Sequence, residues 1–321
     1  MTKFRESLPQ LNGDFFLTDG GLETTLIFLE GLELPDFAAF VLLKSETGKT
    51  ALRKYYLTYA KLAQQFETGL ILETPTWRAN ADWGTKLGYS QSELAEVNQS
   101  AITLLARIRA EFKGEINKIV ISGCVGPRGD GYDPSNKMSE TEAANYHGDQ
   151  IQTFEQSGAD MVTAITMNYV EEAIGIALAA KQANLPVAIS FTVETDGNLP
   201  TGQSLRDAIA QVDAATASYP AYYMINCAHP THFDLILKEA EPWMQRIRGV
   251  RANASRKSHA ELDDSLELDF GDPVELGQQH AELKRRLPLL NVMGGCCGTD
   301  QRHVEQIAAT CSSLFNKRVD L

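Results

Sequence analysis

The sequence predicts an α/β protein, a (β/α)8 TIM barrel formed as a single domain over residues 1–321. Three observations point there. Short apolar runs rich in β-branched residues alternate with longer amphipathic segments from one end of the chain to the other, eight of each. Strands joined by helical crossovers must run parallel, and these runs are apolar almost throughout, the pattern of a sheet buried on both faces. A length of 321 residues is one that such a barrel reaches around a single core.

The strands are read at residues 15–20 (FFLTDG), 69–76 (GLILETPT), 118–126 (KIVISGCVG), 160–166 (DMVTAIT), 186–192 (PVAISFT), 222–228 (YYMINCA), 246–253 (RIRGVRAN) and 289–296 (LLNVMGGC). Helical periodicity fills the gaps at 45–66, 98–112, 139–157, 170–183, 204–217, 232–240, 272–286 and 300–315. An open doubly wound sheet fits the same alternation, but neither nucleotide fingerprint is present to favour it. TGKT at 47–50 has Leu43 where a phosphate loop needs its earlier glycine, and GPRGDG at 126–131 opens no helix. Two long excursions follow the third and seventh strands, 126–139 and 256–272, and in a barrel both lie at the C-terminal rim, where function collects.

With 43% hydrophobic and 22% charged residues the chain can bury a sizeable core. Its net charge of −13 argues against nucleic acid as a partner, because a phosphate grip needs clustered Lys and Arg. The expectation is a cytoplasmic protein, since no apolar leader or membrane span is visible. Five cysteines in such a chain read as free thiols of a reducing compartment rather than a disulfide framework. The sequence leaves the oligomeric state undetermined.

Two of those cysteines are adjacent, Cys296 and Cys297, between Gly294–Gly295 and Gly298. In a barrel they close the eighth strand while Cys227 closes the sixth, so the three thiols can converge at one rim. Three thiolates are a recognised zinc donor set, and an open fourth position makes such a site catalytic. Successive strand residues point to opposite faces, so both sulfurs reach one ion only if the backbone leaves the strand pattern, a freedom the flanking glycines supply. Inert buried cysteines and a vicinal disulfide are the alternatives. His229 and His232 are alternative ligands, and Cys124 and Cys311 read as structural.

Taken together, DGGLETTL (19–26), GPRGD (126–130), ISFTVETDGNLPTGQSL (189–205), INCAHP (225–230) and GGCCGT (294–299) resemble the zinc-dependent homocysteine S-methyltransferases. That family includes the betaine- and S-methylmethionine-dependent enzymes and the homocysteine half of cobalamin-dependent methionine synthase. The resemblance spans nearly the whole chain and implies a barrel with Zn2+ on Cys227, Cys296 and Cys297. It places Asp19 and Asn226 in the substrate shell, with Asp19 meeting the homocysteine amine. It further implies that homocysteine binds as the fourth zinc ligand, is deprotonated there, and attacks a methyl group on a cationic donor.

The chain departs from the family at the fourth strand, where AITMNY puts Ile165 in place of a glutamate that helps grip the amine, with Thr166 in the neighbouring threonine position. Glu73 and Glu194, at other strand ends, are candidates to substitute. Trp77 offers a ring face to a cationic donor, and Arg78 offers a fork to a carboxylate. The expected substrates are therefore a small-molecule thiol and a small methyl donor, homocysteine with S-methylmethionine or S-adenosylmethionine. The length of the chain favours that choice, as it holds no cobalamin module or C-terminal arm. Another thiol or selenol, a corrinoid partner, or a non-catalytic zinc-binding barrel are the alternative readings.

Overall fold

The computed structural model describes residues 2–116, 118–237, 241–263 and 267–315. Eight parallel strands close on themselves in sequence order, with β1 paired to both β2 and β8. They are β1 Phe16–Leu17, β2 Gly69–Glu73, β3 Ile119–Val125, β4 Met161–Met167, β5 Val187–Phe191, β6 Tyr222–Asn226, β7 Ile247–Ala252 and β8 Val292–Gly295. The predicted barrel is present, and each strand falls within or beside its predicted run.

The main helices are α1 Glu46–Gln65, α2 Ala81–Lys86, α3 Gln91–Glu111, α4 Glu140–Ser157, α5 Val170–Gln182, α6 Leu205–Thr216, α7 Pro230–Phe233, α8 His259–Asp263, α9 Pro273–Arg286 and α10 Gln301–Cys311. Helix α3 begins before the predicted residue 98 because Ser90 and Glu93 form a capping box that supplies the first-turn bonds. The helix expected at 232–240 is only α7 followed by a 3-10 turn, Leu235–Leu237; residues 238–240 lie outside the described residues. Short helical elements that were not anticipated include a π-helical turn at Thr24–Leu29, α2 and α8. Each is too short for helical periodicity to show. Among the described residues no helix is long and apolar enough to cross a membrane.

The barrel interior changes character from bottom to top. Phe16, Ile71, Val120, Met161, Ala188, Tyr222, Met224 and Val292 form an apolar plug at the N-terminal end. One pleat further along, Ser122 bonds Thr163 at 2.7 Å and Ser190 bonds Asn226 at 2.6 Å. At the C-terminal ends the interior is charged, with Glu73 and Arg251 in contact. A second apolar layer outside the strands holds the helices and contains Leu17, Tyr56, Phe154, Phe191 and Ile307. Packing thus settles the bottom of the barrel, and the polar top is free to serve as a site.

Candidate metal and substrate site

Cys227 follows β6, and Cys296 and Cys297 follow β8, so the closed sheet brings all three sulfurs to the same end. Their ligand atoms lie within 4.8 Å of one another, with Cys227 Sγ 3.9 Å from Cys297 Sγ. Thiolates about 2.3 Å from a tetrahedral zinc stand about 3.8 Å apart, so this donor set fits such an ion. The Cys227 and Cys296 sulfurs are closer, at disulfide-bonding distance. The vicinal pair, Cys296 with Cys297, is not the one joined, and ligation of a metal takes the reduced form of Cys227 and Cys296. Cys297 is open at its surface to the cavity, yet burial of its thiol pushes it up to about 11, with Tyr132 donating a hydrogen bond to it. A metal must therefore displace protons here at neutral pH.

The glycines act differently from the hinge read in the sequence. Gly294 and Gly295 are still in β8, and of the run only Gly298 has a positive φ, 77°. What Gly294 permits is close approach, since a Cβ there would strike the Thr18 hydroxyl and sit 2.7 Å from the Asp19 carbonyl. Gly294→Ala is expected to cost about 1–3 kcal/mol and to lower metal content, because the strand must shift directly ahead of Cys296. Chemical denaturation with metal analysis checks it.

The left-handed residues are elsewhere. Cys227 has φ 52° and Thr166 at the end of β4 has φ 65°, each costing on the order of 1–3 kcal/mol. Hydrogen bonds hold them there. The Thr166 N–H donates to Asn226 Oδ1 at 3.0 Å, and Asn226 Nδ2 donates back to Thr166 Oγ1 at 2.9 Å. The Cys227 N–H donates to the Arg251 carbonyl at 3.2 Å, and its own carbonyl accepts from His259 Nε2 at 2.6 Å. Asn226 is fully buried and consumed in this role, and its Nδ2 also approaches Cys296 Sγ at 3.9 Å.

Above the sulfurs opens a cavity of about 310 Å³, within the range of small-molecule sites. Asp19, Glu73, Trp77, Thr166 and the three cysteines line it, as does Ile165. Trp77 is held by a bond from Nε1 to the Ile165 carbonyl at 3.3 Å, while Phe28, Phe37 and Tyr132 supply further rings. Arg78 is not among the lining residues; its guanidinium stacks on Trp77 at 4.6 Å and Trp83 at 3.7 Å. Glu194 lies outside the lining as well, its Oε1 3.3 Å from His259 Nδ1. His229 caps α7 and bonds Thr231, and His232 bonds the Arg256 carbonyl, so neither belongs to the cluster of ligand atoms.

The residue missed in the sequence is Arg251. At the end of β7 it is 8% exposed and forms ion pairs with Asp19 and Glu73, while its Nε donates to the Gly295 carbonyl at 3.1 Å. Burial raises both carboxyls and Arg251 pulls them back; burial also disfavours the guanidinium, but the two acids hold its pKa well above the usual value. A charged residue in a run otherwise fit for a buried strand was the available signal. The two excursions lie at the C-terminal rim as anticipated, and they meet there: Tyr132 from the first stacks on His259 from the second, centroids 3.8 Å apart. Residues 264–266 of the second lie outside the described residues, while Glu267, Leu268 and Asp269 line the cavity.

Glu23 also lines the cavity. Burial is the main cause pushing its carboxyl up to about 7, with the charge of Asp19 adding to it. The folded state therefore binds this proton more tightly than the unfolded chain does, and stability is lost as pH rises from the usual carboxylate range through about 7. Glu23→Gln is expected to be more stable than the parent by on the order of 1–2 kcal/mol at high pH and no more stable under acid conditions. Urea denaturation on either side of neutrality reads this out.

A profile of the homocysteine S-methyltransferase family matches residues 16–311. The chain belongs to this family of methyltransferases. Homocysteine S-methyltransferase YbgG of Bacillus subtilis is 22% identical over 258 residues, covering 75% of this chain and 79% of that protein. Betaine–homocysteine S-methyltransferase 1 of Rattus norvegicus is 25% identical over 187 residues, covering 53% of this chain and 44% of the rat enzyme. In fold the chain is similar to the metallated form of the homocysteine methyltransferase MmuM from Escherichia coli, with a TM-score of 0.72 at 18% identity, over 93% of this chain and 97% of that one. The oxidized form of the same enzyme gives 0.71 at 19% identity, over 92% and 96%.

Proposed function

We propose that this protein is a zinc-dependent thiol S-methyltransferase that carries a methyl group from a small sulfonium donor, S-methylmethionine or S-adenosylmethionine, to homocysteine, giving methionine in the cytoplasm. The observation that carries this reading is the convergence of Cys227, Cys296 and Cys297 within 4.8 Å beside a cavity of small-molecule size. Zinc, which thiolates favour, supplies when bound an open position at which a substrate thiol loses its proton and stays nucleophilic. Cys227, Cys296 and Cys297 would hold it.

The chain's own residues then bind, orient and exclude water. His259 keeps Cys227 in its left-handed turn, and Asn226 does the same for Thr166. Trp77, Phe28, Phe37 and Tyr132 offer ring faces to a cationic donor. Thr166 and Ile165 close the wall beneath Trp77. Fixing donor and acceptor in line within one cavity supplies much of the acceleration, and no side chain becomes a covalent carrier.

A second reading, a thiol or selenol acceptor other than homocysteine, is favoured by Ile165 on the wall and by Arg251 sitting on the carboxylates of Asp19 and Glu73. Zinc content of anaerobically purified protein, followed by methionine formation with each donor, decides between them. Bound zinc with methionine formed supports the first reading. Zinc with methyl transfer only to other thiols supports the second. Absence of zinc overturns the metal site that both share.

A further inference from the structure

We infer that Glu23 is the cation anchor of the cavity, the carboxylate that pairs with a positively charged substrate group, whether the α-ammonium of the thiol acceptor or the sulfonium of the methyl donor. The inference rests on the methyl-transfer reading and adds to it a binding residue.

Five acidic side chains line the cavity, Asp19, Glu23, Glu73, Glu267 and Asp269. Both oxygens of Asp19 are engaged, Oδ1 by Arg251 and Oδ2 by the Tyr55 hydroxyl at 3.0 Å. Glu73 accepts from Arg251 and from Thr163. Asp269 accepts from the Ser255 hydroxyl at 2.6 Å and the Gly271 N–H at 3.0 Å. Glu267 is exposed on the outer loop and has a contact of its own. Glu23 is half-buried and has no ion pair among the described residues.

A cation entering at Asp19 or Glu73 meets a guanidinium already in place, and its approach is opposed by like charge. At Glu23 it meets a carboxylate that has no salt bridge among the described residues and feels Arg251 and Arg78 only beyond ion-pair distance, in a setting where burial strengthens the attraction. Burial raises the Glu23 carboxyl and outweighs the pull of Arg251 and Arg78, as expected of a buried acid with no cation paired to it directly.

Glu23 is also positioned against the thiols. Gly21, two residues before it, lies so close to Cys296 that a Cβ there would sit 2.6 Å from the Cys296 carbonyl. Thr24, the next residue, accepts through Oγ1 from the Gly298 N–H at 3.1 Å. Both neighbours are thus pinned to the loop that carries Cys296 and Cys297, and the charge of Glu23 is felt at the Cys297 thiol. A cation held by Glu23 is held beside the metal cluster.

The test measures binding, separately from turnover, in the parent, Glu23→Gln and Glu23→Asp. Two ligand pairs differ chiefly in the cationic charge: homocysteine against 4-mercaptobutyrate, read by the absorption of the cobalt-substituted protein, and S-methylmethionine against methionine, read by calorimetry. Glu23→Gln is expected to weaken homocysteine or S-methylmethionine about tenfold or more, to change the partner of that pair that lacks the tested cation less than about twofold, and to be partly rescued in Glu23→Asp. The pair that responds names the source of the cation. Equal weakening of both members of each pair, no change in either pair, or a parent that binds neither homocysteine nor S-methylmethionine overturns the anchor. A parent that binds these ligands and shows the charge-selective loss but transfers no methyl group fails the methyl-transfer reading and leaves the anchor standing.

Discussion

A Cys296→Ser chain is expected to fold and to bind zinc more than about 100-fold more weakly than the parent, with methyl transfer lost in proportion. Partners that merely orient metal ligands are worth 10–100-fold in affinity, so removing one of three sulfurs must exceed that range. The barrel should survive because Cys296 lies beyond the last residue of β8 and makes its sheet contact through the backbone, its N–H donating to the Ala252 carbonyl at 2.8 Å. Metal analysis and far-UV circular dichroism on the same preparation separate the two effects. Full metal occupancy in the variant would mean that the cluster is not the binding site. A lost fold would make Cys296 structural.

The second large effect is expected at Arg251. Arg251→Met leaves the carboxyls of Asp19 and Glu73 buried without their cation, and breaking a buried pair from one side typically costs about 3–5 kcal/mol. The sign of the pH dependence follows from the carboxyls. Both are already raised by burial in the intact protein, and without the guanidinium they rise further. The folded variant then binds protons more tightly than its unfolded chain, so the loss is largest at high pH and shrinks as pH falls and the acids become neutral. Denaturation midpoints across pH 5 to 8 should diverge from the parent upward in pH. A small loss that does not vary with pH would show that the three residues are not coupled as charges.

Much of the barrel and the cysteine cluster could be read in the sequence, because each depends on short-range pattern. Apolar runs such as IVISGCV at 119–125 advertise themselves within a few residues, and GGCCGT with INCAHP names three sulfurs without any distance being known. The ends of elements were less legible. The start of α3 turned on one capping serine, Ser90, and the π-helical turn after Glu23 on too few residues to show a period. Asn226, which the resemblance places in the substrate shell, sits in a fully buried bond network with Thr166 and Ser190 that the sequence did not show, because its position in an inward-facing layer, one residue before the turn at Cys227, is a property of the closed sheet.

The eight strands and their alternation with helical segments, the class of the fold and the choice of Cys227, Cys296 and Cys297 as the converging thiols were therefore legible in the sequence alone, since hydrophobic period and cysteine placement are local. Which acids are available to a substrate was decided only by the tertiary structure. Closure of the barrel brings Arg251 onto Asp19, 232 positions away, and onto Glu73, 178 positions away. That contact neutralises two carboxylates that looked free in the sequence and leaves Glu23, among the described residues, without an ion pair. Ion pairing depends on distance in space, and no window along the chain contains it.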